Sequence, residues 1–93
     1  VSALPITDYV FSEHARFELL RRGLSEEAVR AILLSPEQRI EVRSGRVVLQ
    51  SKVFLEPPGT VFLLRVFVDV DRCTAEVVTA YRTSKVEKYW RNR

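Results

Sequence analysis

The sequence predicts an α+β domain in which an N-terminal αα-hairpin packs on one face of a mainly antiparallel four-stranded sheet, followed by a short C-terminal helix. Three observations carry that expectation. Residues 12–34 set apolar side chains at helical spacing behind two serine caps, and residues 39–81 change to a period of two. Ser84-Lys85-Val86-Glu87 then has the spacing of a capping box. The strand connections are short, which favours sequential antiparallel pairing.

Taken in order, Ser12 caps a helix reaching Arg22, with Glu13 in the first turn where the helix dipole favours an acid, and Gly23 ends it. Ser25 caps a second helix at once. Glu26 and Glu27 fill its first turn, Leu24 and Val29 occupy the positions of a hydrophobic staple, and Val29, Ile32 and Leu33 form its buried stripe. Ser35-Pro36 stops it, because the residue before proline is pushed out of the helical region. Residues 39–43 alternate, Ser44-Gly45 reads as a tight turn, and residues 46–55 resume with Val47, Leu49, Val53 and Leu55 on one face. Residues 56–60 form a rigid loop. Residues 61–70 are apolar on both faces and predict a central strand, and a turn at 71–74 returns the chain through residues 76–81. Residues 6–11 are readable as an extra N-terminal edge strand, and the sheet face away from the helices is expected to be polar.

A chain of 93 residues and 10.8 kDa is one domain over residues 1–93, and 46% hydrophobic with 29% charged residues excludes disorder and fibrous repeats. The longest aliphatic and aromatic run, residues 61–64, is far too short to span a bilayer, so no membrane partner is expected. Cys73 stands alone and can form neither an intramolecular disulfide nor a thiolate zinc site. Val1 to Tyr9 shows no basic segment followed by an apolar one. A reducing, cytoplasmic setting is therefore the expectation, and oligomeric state is left open.

Formal charge is +3, from 15 basic and 12 acidic residues, with twelve Arg against three Lys. Arg presents a planar, permanently charged fork that suits carboxylate and phosphate. Position sharpens the point. Residues 1–81 carry net −1, whereas residues 82–93 hold Arg82, Lys85, Lys88, Arg91 and Arg93 against Glu87, net +4. Tyr81, Tyr89 and Trp90 are interleaved with that cluster, and cations with aromatic faces are what a single-stranded nucleic acid requires. The same residues also describe a solvated terminal helix with its aromatic side inward, and the sequence leaves both readings open.

His14, the sole histidine, lies in the first turn of the first helix two residues before Arg16, a pairing able to supply a proton shuttle beside a phosphate contact. A helix-start histidine bonded to the sheet is the plainer alternative. Asp69 and Asp71 share one side of a strand and would suit a magnesium ion, but Asp71 reads more simply as a turn starter and Asp69 as the partner of Arg65. There is no Gly-rich phosphate loop, Gly-x-Ser-x-Gly or His-Glu-x-x-His, so no cofactor and no metal are expected.

Phe11-Ser12-Glu13-His14-Ala15-Arg16, Arg22-Gly23-Leu24-Ser25-Glu26-Glu27-Ala28-Val29, Ser35-Pro36-Glu37 and Thr79-Ala80-Tyr81-Arg82-Thr83-Ser84-Lys85 together resemble small bacterial and archaeal proteins that open with a Ser-x-His-Ala box, a family placed in the RelE/ParE toxin superfamily. The resemblance runs from about Tyr9 to Arg91. The stretch from Tyr81 to Tyr89 is also similar to the end of BrnT-type toxins, whose Lys-rich start this chain lacks. The resemblance implies a RelE/ParE-like sheet wrapped by a helical pair. In several branches it implies an mRNA interferase, ribosome-dependent or free, paired with an antitoxin. Other branches inhibit gyrase.

The expectation is thus a toxin-like RNA-binding protein of a type II toxin–antitoxin pair that cleaves mRNA without metal. Carried over by position, His14 is the acid or base, Arg16 and Arg82 clamp phosphate, and Lys85 adds a cation. Tyr81, Ser84, Lys88, Tyr89 and Arg91 bind substrate. Two alternatives stay open: a non-catalytic module that binds an antitoxin-like protein, and a gyrase-directed inhibitor.

Overall fold

A computed structural model describes residues 3–92; Val1, Ser2 and Arg93, the last counted in the basic cluster, lie outside the described residues. The chain forms β1 (Tyr9–Phe11), α1 (Glu13–Arg22), α2 (Glu26–Leu34), β2 (Gln38–Arg43), β3 (Arg46–Leu55), β4 (Thr60–Asp69), β5 (Ala75–Thr83) and α3 (Val86–Tyr89).

Local chemistry accounts for the helical pair. The Ser12 hydroxyl accepts the Ala15 amide at 2.9 Å and the Ser25 hydroxyl accepts the Ala28 amide at 3.0 Å, so each helix begins on a satisfied cap. Gly23, at φ 68°, adopts the left-handed turn that lets the two helices follow each other directly. Ala15 and Leu19 of α1 and Val29, Ile32 and Leu33 of α2 then pack against Val47 and Leu49 of β3, Leu64, Val66 and Val68 of β4, and Val77 and Ala80 of β5.

The sheet is mixed, with strand order β1-β5-β4-β3-β2. This corrects the four-stranded expectation: the N-terminal segment is a fifth strand, three residues long and parallel to β5 from Tyr9 beside Ala75 to Phe11 beside Val77. A parallel partner is reached because both helices intervene and return the chain to the same end of the sheet. The remaining pairs are antiparallel, as the short turns required.

Two further expectations are corrected. The face away from α1 and α2 is not simply polar, since Val48, Gln50, Leu63 and Arg65 are buried there beneath α3 and the residues after it. Ser84 does not cap α3. Lys85 occupies the cap position without a side-chain bond, and its amide donates to Thr83 Oγ1 at 3.1 Å. The last helix is a single turn, and a turn so short cannot repay nucleation on its own, so tertiary contacts decide where it begins. No helix among the described residues is long and apolar enough to cross a membrane.

Candidate functional site

Alternation along β4 sends Leu64, Val66 and Val68 toward the helices and leaves Leu63, Arg65 and Phe67 on the other face. Register then sets Arg65 between Gln50 of β3 and Tyr81 of β5. Arg65 is only 8% exposed. Its Nε donates to Gln50 Oε1 at 2.8 Å and its Nη1 to Tyr81 Oη at 2.7 Å. The guanidinium carbon stands 4.3 Å from the ring centre of Tyr89, 5.2 Å from that of Phe67 and 5.8 Å from that of Tyr81.

No carboxylate among the described residues joins this group. Burying a cation costs several kcal/mol. Hydrogen bonds from a charged donor, at about 1.5–3 kcal/mol each, and stacked rings, at up to about 2 kcal/mol when desolvated, offset that cost without an acid. Nη2 has no hydrogen-bond partner among the described residues.

The C-terminal segment is tied across this face by glutamines. Gln50, fully buried, donates from Nε2 to Gln38 Oε1 at 2.7 Å and to the Tyr89 carbonyl at 3.1 Å. Gln38 donates to the Arg91 carbonyl at 2.6 Å and accepts the Arg91 amide at 3.1 Å. The Lys52 ammonium lies 4.2 Å from the Trp90 ring centre, and the Lys88 ammonium 5.3 Å from that of Tyr89. The neighbouring Tyr81 hydroxyl holds the Tyr89 phenol below the ordinary tyrosine range, and the charges of Lys88 and Arg65 act the same way against the opposing effect of burial. The face therefore presents cations, rings and a phenol biased toward ionisation.

The residues singled out from sequence fall into two groups. Tyr81, Lys88 and Tyr89 join the Arg65 face, and Arg91 anchors to it through its backbone while its side chain stays exposed. Ser84 and Lys85 form the exposed link into α3. His14, Arg16 and Arg82 lie on the helical side. Arg82 pairs in register with Leu64 and shares its face, one residue and one sheet thickness away from Tyr81. His14 and Arg82 are not brought together either. The start of α1 lies at Val77, whose carbonyl accepts the Ser12 amide, whereas its end lies at Thr79 and Ala80, where Arg22 donates to both. The helix thus carries His14 about 12 Å from its own C-terminal end, and Arg82 lies past that end. Arg16 is engaged by Glu26 at 2.6 Å.

Asp69 is not the partner of Arg65. Its carboxylate is gripped by Arg46 and reached by Arg72 at 3.3 Å, because Arg46 is its direct cross-strand neighbour. Asp71 packs its side chain against Gly45, where a Cβ would collide, and that contact holds the β2–β3 turn against the β4–β5 turn. No group of three or more His, Cys, Asp or Glu suited to a metal occurs among the described residues.

Sequence patterning does not single out Arg65, Gln50, Gln38 or Lys52. One signal for the first is present: Arg65 is the lone charge between Phe62 and Val68, a run otherwise apolar on both faces.

A family model described as a domain of unknown function (DUF4258) matches residues 11–82, which take in α1 through Arg82 and include Lys52, Arg65 and Tyr81. No curated protein and no solved structure matches the chain.

Proposed function

The chain belongs to the DUF4258 family, and from the geometry of the sheet face opposite α1 and α2 we propose that it is a toxin-like RNA-binding domain that cleaves its substrate there without metal. One observation carries the reading: Lys52, Arg65 and Lys88 each stack on an aromatic ring of that face, and none forms an ion pair with a carboxylate among the described residues. Cations left without acids favour phosphate, and the rings of Tyr89 and Trp90 offer stacking surface to unpaired bases.

For cleavage, ionised Tyr89 takes the proton of a ribose 2′-hydroxyl. The freed oxygen attacks the adjacent phosphorus, and the 5′-oxygen leaves with a proton from solvent, giving a 2′,3′-cyclic phosphate and a 5′-hydroxyl end. Arg65, through Nη2, and Lys88 stabilise the charge that builds on the phosphorane. His14 and Arg82 have no part in this step, because they lie on the other side of the sheet.

Binding and cleavage of a labelled single-stranded RNA in the presence of a chelator test the reading. Replacing both Lys52 and Lys88 with Ala is expected to weaken binding and to reduce the salt slope by about 0.7 for each phosphate no longer neutralised. Tyr89→Phe is expected to lower the cleavage rate by about 100-fold or more while binding persists, and the wild-type rate is expected to rise with pH toward the phenol's lowered pKa. RNA affinity indifferent to the paired lysine change would sink the binding reading. Products lacking the cyclic phosphate would sink the mechanism.

A further inference from the structure

On the helical side of the sheet, beyond the hinge between α1 and α2, Leu24, Ala28, Val53, Leu55, Phe62 and Leu64 wall a pocket of about 70 Å³ with Arg82 at its rim. The Arg82 guanidinium lies over the Phe62 ring at 5.5 Å and makes neither an ion pair nor a hydrogen bond among the described residues. All other lining side chains end in carbon. Small-molecule sites usually enclose roughly 300–1,000 Å³. This pocket is far smaller and suits one aliphatic side chain. Past Val77, β5 has no strand on the side away from β4, because β1 pairs only with residues 75–77. Arg22 of α1 bonds that edge at Thr79 and Ala80, which leaves residues 81–83 as the stretch an extended segment can approach.

The geometry points to a docking site for a segment of a partner protein that carries an aliphatic side chain next to a carboxylate. The aliphatic group fills the pocket and the carboxylate pairs with Arg82. Charge complementarity selects this occupant: a basic segment would set like charges together at the rim, and a nucleic acid backbone has no aliphatic group for the cavity. The site faces away from Lys52, Arg65 and Lys88, so the partner segment and RNA bind at the same time. Docking at Arg82 stands without RNA binding, whereas simultaneous occupancy rests on the proposed RNA face.

Titration of the ¹⁵N-labelled full chain with a blocked pentapeptide, Leu flanked on each side by Glu, tests it directly. Saturable amide shifts are expected at Ala28, Val53, Phe62 and Arg82. A peptide with Lys in place of both Glu, and one with Ser in place of Leu, are expected to bind more weakly. Arg82→Gln, an exposed change that leaves the apolar walls in place, is expected to weaken the Glu-flanked peptide by about fivefold and to leave RNA affinity unchanged. Shifts absent from this corner at millimolar peptide, equal binding of the Lys-flanked peptide, or indifference to Arg82→Gln would each overturn the proposal. A peptide that displaces RNA would overturn the claim of simultaneous binding.

Discussion

Arg16, Arg21, Arg22 and Arg30 in α1 and α2 each end on a carboxylate of their own layer, Glu18 or Glu26, at 2.6–3.5 Å. Arg16 and Arg30 also lie over the rings of Phe11 and Tyr9, but Lys52, Arg65 and Lys88 on the opposite face meet aromatic rings with no carboxylate partner among the described residues. Exposed ion pairs contribute about 0–1 kcal/mol each, so the Glu26 pairs with Arg16 and Arg30 do little for stability. The helical set leaves that layer electrically quiet. A ring holds a cation in place through its quadrupole without neutralising it. Within α1 and α2 arginine is thus a surface counter-charge, whereas Arg65 on the opposite sheet face is held without neutralisation by a carboxylate among the described residues.

The two regions also differ in what holds them, and that difference can be broken by mutation. The largest effect is expected under the helices. Leu33, fully buried among α2 and the strands, should cost about 2–5 kcal/mol when replaced by Ala, seen as a cooperative loss of midpoint in chemical denaturation. On the other face Gln50→Ala removes the acceptor of Arg65 Nε and the donor to the Tyr89 carbonyl. A cost of about 1–3 kcal/mol is expected there. Unlike the core change, it should raise amide exchange selectively in residues 86–91. Exchange that rises uniformly would mean that the segment is not held independently.

The effect expected to be smallest at neutral pH is electrostatic. The hydrogen-bonded Arg46 holds the Asp69 carboxyl below its ordinary range, and Arg21 does the same for Glu18. A depressed folded-state pKa adds stability above the unfolded value and loses it as pH falls through the folded one. Stability should therefore hold at neutral pH and decline in acid below about pH 4. Asp69→Asn should make that decline shallower, measured by thermal melts across the acid range.

The helical layer is largely legible in the sequence because its determinants are local. Ser12, Gly23, Ser25 and Pro36 act within one turn of themselves, and the turn at Ser44-Gly45 sets the register of β2 and β3. The opposite face is legible only in its ingredients. Tyr81, Lys88 and Tyr89 are visible as a basic and aromatic cluster, but Gln38 meets Arg91 across 53 positions and Gln50 meets Tyr89 across 39. No periodicity encodes such contacts. Arg82 departs from its expected place for a simpler reason: in a strand, adjacent residues face opposite ways, so the motif Tyr81-Arg82 that reads as one unit is divided by the sheet. Arg65 escapes a reading by pattern because a charge inside an apolar strand invites a search for an acid, and its partners are an amide and a phenol.

The parallel strand β1 bears on how the molecule assembles. Its pairing joins Tyr9 to Ala75, sixty-six positions apart, whereas β3 and β4 meet through a short loop. Closing so long a loop costs more chain entropy than zipping a hairpin, so the β1–β5 seam is expected to form late in folding. Until it forms, all of β5 is an open strand edge able to pair with another molecule. The three residues of β1 then act as the stop that limits such pairing, and shortening them would raise the tendency to aggregate during refolding while leaving the hydrophobic core nearly intact.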